Sequence, residues 1–596
     1  MAIKTNQLTI NFNFDAIDDK YDVFKIDTTS KYFNRGAYIL DAPTLCNNVA
    51  SIFFDSGRTF YVLMTKFKGN QRNLKQVLLA SGEGDSIIIT QIHSNCVGNR
   101  ILVSLLLNAL GSYKTEFLRF NNLTGHLYCL HSGWVKRSTM GNESQILKIP
   151  CLEISINKDM RLDIAVRTFT SELLKKQIAF GKRSFEQYPK YVLGANNTLR
   201  RKLASGTEKC FILRQTQGDK TEIPFMDIQN FDKFQMSKMG VVSYVIKQFN
   251  DNYQGMCNLE FTIIQNFDTV DNANILIKEN KVAIKNMLKN INFKIVDLIN
   301  DDYSARFCKD IQNILLNKYD IKSTLGKRVS KDCVNVVVVH YELYYNGMND
   351  PYKKEYSDVA IQHITLEDFM GNATAAISTV IHELLIKRDI INKKLSLFDW
   401  YAIGEPISFG VFTTINDEER YFFMNIKADG TFDFVEQKLD FLGMNEYTDC
   451  VNIFSDSKDV AGIIKYDNGD INVIRNTSWY TIPEIEKIYM ELSNDNTYLR
   501  NKEMRDELLS SVTDIKMFED NKCQYYFVGV IGNGMRANVS NAANIRMIEP
   551  YNNSKLRFNE VLPLMNVTYV RNNQLTVVPF PFKYLREYIA SLTHTL

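Results

Sequence analysis

Residues 334–340 read VNVVVVH. Valines crowd the stretch without the polar alternation of a half-exposed strand, so it reads as a strand buried on both faces. Such a strand belongs inside a parallel sheet with helices on either side. The flanking sequence agrees. Upstream, 275–277 reads as a short strand, 281–292 has helical period, 294–299 is strand-like and 305–319 helical. Downstream, 359–365 (VAIQHIT) is strand-like, and 375–387 sets Ile377, Val380, Ile381, Leu384 and Leu385 on one helical face. This alternation predicts an α/β, Rossmann-like domain over 270–400. It contains neither G-x-G-x-x-G nor G-x-x-x-x-G-K-[ST], so neither a dinucleotide nor a P-loop nucleotide is indicated.

The chain of 596 residues carries 70 Lys+Arg against 68 Asp+Glu and is 45% hydrophobic. That length predicts about three to five domains, each able to bury a core. A net charge of +2 excludes a histone-like polycation, though not a local basic face. Ten cysteines lie singly with no C-x-x-C, which argues against a disulfide framework or structural zinc and suits a reducing compartment. The N-terminus, MAIKTNQLTINFNFD, lacks the pattern of a secretory signal, and no apolar run reaches the ~18 residues of a membrane span. The expectation is a cytoplasmic protein with no membrane partner.

Residues 1–150 mix strands (60–64, 86–90) with a helix (99–110) and predict a mixed α+β N-terminal lobe. A hairpin follows: Leu152, Ile154 and Ile156 alternate, 157–159 turn, and Leu162, Ile164 and Val166 alternate again. Between 181 and 220 nine Lys/Arg face three acids, an excess larger than the net charge of the whole chain. Within it Arg200, Arg201 and Lys202 are adjacent; a solvated loop is the plainer reading of the same residues. After 401 come strands at 407–413, 421–426 and 462–465, a helical stretch at 483–512, strands at 524–531 and 567–571, and a final helix beyond Pro579-Phe580-Pro581. Hairpin sheet, helix, strand and terminal helix is the order of an RNase H-like domain.

Three places could carry chemistry. In the parallel domain Tyr352, Lys353, Lys354, Gln362 and Lys387 come from successive elements whose ends converge at one sheet edge. Lysines supply point charges to an anion, and the glutamine amide and tyrosine hydroxyl supply oriented donors. Composition alone reads them as surface lysines and one strand glutamine. The adjacent Tyr344 and Tyr345 could stack on a base or simply pack. The second place is the C-terminal domain, where cleavage would need carboxylates converging on two Mg²⁺ ions. The third is the basic segment.

The series VNVVVVH (334–340), YKKEYSDVAIQHIT (352–365), AAISTVIHELLIK (375–387), LSLFDW (395–400) and ISFGVF (407–412), with LTVVPFPFKYLREYIASL (575–592) near the end, resembles the MID-to-PIWI passage of the prokaryotic Argonaute family. Within that family it resembles the catalytically inactive type that partners a helicase–nuclease in plasmid defence. The resemblance implies an N-terminal domain over 1–150 and a linker region over 151–269 with PAZ absent or reduced. It further implies a MID-like Rossmann domain over 270–400 and an RNase H-like PIWI domain over 401–596. The guide 5′ phosphate would be held by Tyr352, Lys353 or Lys354, Gln362 and Lys387, with Mg²⁺ at that phosphate as the one candidate cofactor. Arg388 and Asp389 stand where the family often has a glycine pair. Arg200, Arg201 and Lys202 would contact guide or target backbone.

The resemblance implies that nuclease carboxylates should end the strand at 407–413, which leads into Thr413-Thr414, and the strand at 527–533, which reads FVGVIGN. Neither holds an aspartate. The expectation is therefore a protein with no catalytic residue and no metal ligand of its own. It would bind a short guide of DNA or RNA, pair it with target nucleic acid and recruit an effector nuclease or helicase against plasmids or phage. The alternative is a metal-dependent nuclease drawing on Asp399, Asp417, Asp429 or Asp470; a plain interaction protein is a third reading.

Overall fold

A computed structural model describes residues 2–28, 46, 48–56, 59–80, 87–113, 118–123, 125–140, 143–178, 180, 184–194, 198–202, 208–214, 216, 223–269, 285–345, 350–353, 358–367, 373–396, 398–438, 445–496, 499, 501–509, 515–520, 523–528, 538–539, 541–565 and 577–594. The elements below are those of the described residues. The chain forms two units: Met1–Gln265 with Ser478–Ser511 and Arg536–Ala542, and Asn266–Thr477 with Val512–Met535 and Ala543–Leu596. No helix among the described residues is long and apolar enough to cross a membrane.

In the first unit an antiparallel sheet runs Val49–Ser56, Thr59–Thr65, Tyr21–Thr28, Ile87–Ile92. The predicted helix is Asn99–Ala109, with Leu102, Val103 and Leu105–Leu107 buried. A second sheet contains the predicted hairpin as Glu143–Ile156 paired with Leu162–Ser171, in register Ile156↔Leu162. Its turn is closed by Asn157, whose Oδ1 accepts from the Asp159 and Arg161 amides. At the edge of this sheet lies Leu199–Arg201, against Tyr191–Leu193.

The helical stretch expected at 483–512 is instead two helices, Ile485–Asp495 and Lys502–Leu508. Asn496 closes the first in the left-handed region at φ 49°, a conformation that asparagine tolerates and that cannot continue a helix. These residues belong to the first unit, although their position in sequence had put them with the C-terminal domain.

The second unit contains the predicted parallel sheet, in the order Ser323–Gly326, Phe293–Asp297, Val334–Val339, Ile361–Thr365. All six residues of Val334–Val339 are buried. Val336 and Val338 face one core with Ile295 and Ile364; Val337 and Val339 face the other with Val296 and Ile361. Asn335 is tolerated there because its amide donates to the Ser330, Cys333 and Ala360 carbonyls and accepts from the Ser330 amide. The helix Asp302–Tyr319 starts at a capping box between Asp301 and Ser304. The helix Ala373–Asn392 buries Ile377, Val380, Ile381, Leu384 and Leu385, as its period predicts. The strand expected at 275–277 and the one at 567–571 lie outside the described residues.

The other sheet of this unit runs Asp268–Thr269, Ile515–Asp520, Cys523–Val528, Asn544–Pro550, Ile471–Ile482, Val460–Tyr466, Ile407–Ile415, Glu418–Ile426, Phe432–Gln437. The strands at 471–482, 515–520 and 544–550 were not anticipated. The terminal helix Pro581–His594 lies on this sheet. Phe582 meets Phe409 edge-on at 5.4 Å and Tyr588 stacks on Phe434 at 4.2 Å. Gly462 makes the approach possible, since a Cβ there would stand 2.6 Å from the Phe582 ring.

Candidate nucleic-acid interface

The helix Ala373–Asn392 returns across the Ile361–Thr365 strand and brings Lys387 onto it. The ammonium donates to the Ile361 carbonyl at 2.9 Å and to Gln362 Oε1 at 2.8 Å. Burial lowers the Lys387 pKa, and Glu587 and Glu383 oppose the shift. These carboxylates are joined by Lys583 of the terminal helix, 3.0 Å from Glu383 and 2.6 Å from Glu587. Burial, then the Glu587 charge, raises the Glu383 pKa. Around Gln362 the fold therefore gathers two lysines and two glutamates in partly dry surroundings, where each charge is felt more strongly than in water.

Tyr352 sits on the other face of the strand. Side chains alternate, so Gln362 shares a face with Ile364, whereas His363 lies with Ile361. Tyr352 packs in the Ile361 cluster, 4.8 Å ring to ring from His363, and its hydroxyl donates to the His340 carbonyl at 2.8 Å. The structure thus joins Gln362 and Lys387 directly and sets Tyr352 across the strand from them. The side chain of Lys353, and all of Lys354, lie outside the described residues. Tyr344 stacks on His340 at 3.9 Å, and His340 Nδ1 meets the Glu367 carboxylate. Lys583, Glu383 and Glu587 escaped the sequence reading. The spacing of Lys583 and Glu587 on one helix was visible, but their meeting with Glu383 was not.

Burial depresses the imidazoles of His363 and His382 to about 4, with the Lys387 charge adding to the effect at His363. Unfolded histidines titrate near ~6.5, so below that pH the unfolded chain binds protons that these two sites refuse. Stability is expected to fall as pH drops from ~6.5 towards 4, by on the order of 2 kcal/mol per histidine. Urea denaturation at pH 7 and pH 5 checks this, and His382→Phe should flatten the dependence. An unchanged slope would mean that the ring protonates freely in the fold.

The aspartates of the alternative reading serve local caps and turns. Asp399 caps the short helix Trp400–Ala402, accepting from the Tyr401 amide. Asn416 and Asp417, at φ 52° and 64°, form the turn between Ile407–Ile415 and Glu418–Ile426. Asp429 accepts from the amide and hydroxyl of Thr431, and Asp470 from the Lys555 amide and the Asn468 side chain. Among the described residues no group of three or more His, Cys, Asp or Glu is placed to hold a metal. Phe527 and Val528 lie in the strand Cys523–Val528, and residues 529–537, where the expected strand would end, lie outside the described set.

In the first unit Arg200 pairs with Glu208, and Lys202 donates to the Glu208 carbonyl at 2.6 Å. The side chain of Arg201 lies outside the described residues. Nearby, Lys175 and Lys190 stand over the Phe185 ring at 5.1 and 5.3 Å, and Arg214 over Tyr188 at 5.7 Å.

No family model and no curated protein matches the chain. Among solved structures, Marinitoga piezophila Argonaute in complex with a 5′-OH guide RNA is similar over 100% of both chains, at 10% identity and a TM-score of 0.40. The same Argonaute with 5′-OH guide RNA and target DNA is similar over 97% of both chains, at 9% identity and a TM-score of 0.43.

Proposed function

We propose that this protein is an Argonaute-like, guide-dependent nucleic-acid-binding protein. It holds the 5′ end of a short guide at Gln362 and Lys387, pairs the guide with a target strand and acts through a separate effector nuclease or helicase. The carrying observation is the direct Lys387–Gln362 hydrogen bond on a parallel sheet, with the lysine largely withdrawn from water and Lys583 close by. A phosphate could draw Lys387 from its carbonyl partner, since an oxyanion is the stronger acceptor. Tyr352, Lys353 and Lys354 belong to the proposal as further contacts of the guide 5′ phosphate. Arg200, Arg201 and Lys202 are proposed to meet backbone phosphates, with sequence-independent and salt-sensitive binding.

The two glutamates shape the preference of this end site. Glu587 lies close enough to influence Lys387 and pairs with Lys583, so it competes with a phosphate for both cations. Glu587→Gln is expected to raise affinity for a 5′-phosphorylated oligonucleotide about three- to ten-fold, with little change for a 5′-hydroxyl strand. Competition binding between the two ends measures this, and equal affinities before and after would remove Glu587 from the site.

The protein is proposed not to cleave. What supports this is the capping and turn duty of Asp399, Asp417, Asp429 and Asp470 and the threonines, Thr413 and Thr414, near the end of the strand Ile407–Ile415. With Mg²⁺ or Mn²⁺, labelled single strands and guide–target duplexes should remain intact. Metal-dependent cleavage abolished by one Asp→Ala change would establish the nuclease reading instead.

A further inference from the structure

The strand Thr59–Thr65 of the first unit leads through Gly69, at φ 104°, into the helix Asn70–Leu78, which lays Leu74 and Leu78 on the antiparallel sheet. Asn70 fixes this corner. It is buried, and its amide donates to the Asp22 carboxylate at 2.8 Å and to the Thr65 carbonyl at 2.9 Å, and accepts from Asn48 Nδ2 at 3.3 Å. Beside the corner lies an open cavity of about 520 Å³, inside the range of roughly 300–1,000 Å³ usual for small-molecule sites. Met64 and Val77 give it apolar walls, and Asn48, Asn73 and Gln76 line it with three carboxamides. Asn73, Gln76 and Val77 share one helical face, and the side chains of Asn73 and Gln76 have no hydrogen-bond partner among the described residues. Phe67 completes the lining with a ring that is 59% exposed. Charge stands around the cavity and not in it. No Lys, Arg, Asp or Glu among the described residues lines it, yet 59–80 contains Lys66, Lys68, Arg72 and Lys75 and no Asp or Glu. Lys66 donates to the Asp18 carbonyl at 2.7 Å; Lys68, Arg72 and Lys75 are exposed, with no carboxylate partner among the described residues.

A lining without charge argues against an ionic ligand. Three carboxamides argue against a lipid, which would take their bonds to water and return none. What fits is a flat, neutral group with apolar faces and an edge of donors and acceptors, and a nucleobase is such a group. We propose that the cavity receives one unpaired base of a nucleic-acid strand. Asn48, Asn73 and Gln76 bond its edge, Phe67 stacks on its face, and Lys68 and Arg72 meet the adjoining phosphates. An extended peptide would also satisfy carboxamides, but the acid-free, basic surround matches a polyanion. That the base comes from a strand rests on the function proposed above; the base pocket itself does not.

The experiment uses full-length protein with Phe67→Ala, Gln76→Ala and Arg72→Ala, three exposed positions whose replacement leaves the core intact. Labelled single strands, intact or with one abasic nucleotide moved along the sequence, are titrated at several salt concentrations. Binding of free nucleosides is followed by equilibrium dialysis. Phe67→Ala and Gln76→Ala should each weaken binding of the intact strand about ten-fold, with the salt slope unchanged and whatever the 5′ end. Arg72→Ala should instead reduce the slope of log affinity against log salt by roughly 0.7. For the parent, an abasic nucleotide at one position should cost about the same ten-fold. Combined with Phe67→Ala it should cost nothing further, because both changes remove one contact. Free nucleoside should bind the parent more tightly than it binds Phe67→Ala or Gln76→Ala. Strand affinity unchanged in both variants, or an abasic loss that adds in full to Phe67→Ala, would overturn the strand as the source of the base. Nucleoside binding undiminished in both variants, or absent together with the strand effects, would overturn the base pocket altogether. If the parent binds no oligonucleotide, the guide reading fails, and the nucleoside measurement alone decides the pocket.

Discussion

A Lys387→Met variant is expected to bind a 5′-phosphorylated oligonucleotide about 10- to 100-fold more weakly than the parent, equivalent to roughly 1.4–2.8 kcal/mol. Binding of the 5′-hydroxyl strand should fall far less. The reasoning is electrostatic. The ammonium sits in partly dry surroundings, where its attraction for a phosphate is little screened, and methionine keeps the apolar stem while removing the charge. Lys387 also ties its helix to the Ile361 carbonyl, so the melting midpoint must be read beside the affinity. Lys387→Arg should restore part of the binding, since the charge remains but its geometry changes. Equal losses for both end chemistries, at an unchanged midpoint, would place the phosphate elsewhere.

The largest effect on stability is expected at Asp389. It is fully buried, and its carboxylate accepts from the Ser396 amide at 3.0 Å, from the Ser396 hydroxyl and from the Tyr584 hydroxyl at 2.8 Å. It thereby ties the end of the helix Ala373–Asn392 to the terminal helix. Asp389→Ala would leave the buried Tyr584 hydroxyl without its acceptor and break both Ser396 bonds, and is expected to destabilise the second unit by about 2 kcal/mol, whereas Tyr584→Phe should cost about 1 kcal/mol. The terminal helix carries Lys583 and Glu587, so guide affinity should fall with stability. Urea denaturation and binding titration measure the two effects. A midpoint unchanged in Asp389→Ala would mean that aromatic packing alone holds the helix. Burial raises the Asp389 pKa, so the folded state binds this proton more tightly than the unfolded chain. Acidification therefore favours the fold at Asp389 while it opposes the fold at His363 and His382.

The elements that were legible in sequence are those whose local pattern and tertiary role coincide. The valine run at 334–339, the periodic face at 377–385 and the alternation around 157–159 each encode one structure through their own spacing. The helix expected through 483–512 failed at one residue, Asn496, whose left-handed backbone ends the first segment. The strand at 544–550 was missed because Arg546 interrupts its apolar pattern.

By itself, the sequence determined a parallel, helix-covered sheet around residue 337, a glutamine and a lysine on consecutive elements of it, and a pair of threonines at the end of the first C-terminal strand. These follow from side-chain period and residue identity, which are local properties. Only the tertiary structure decided that Lys387 reaches Gln362, that Tyr352 lies on the opposite face, and that Glu383 and Glu587 surround Lys583. Each of these joins residues distant in the chain. The energy of a charge depends on which other charges and how much water the fold leaves beside it, and no stretch of sequence carries that information alone.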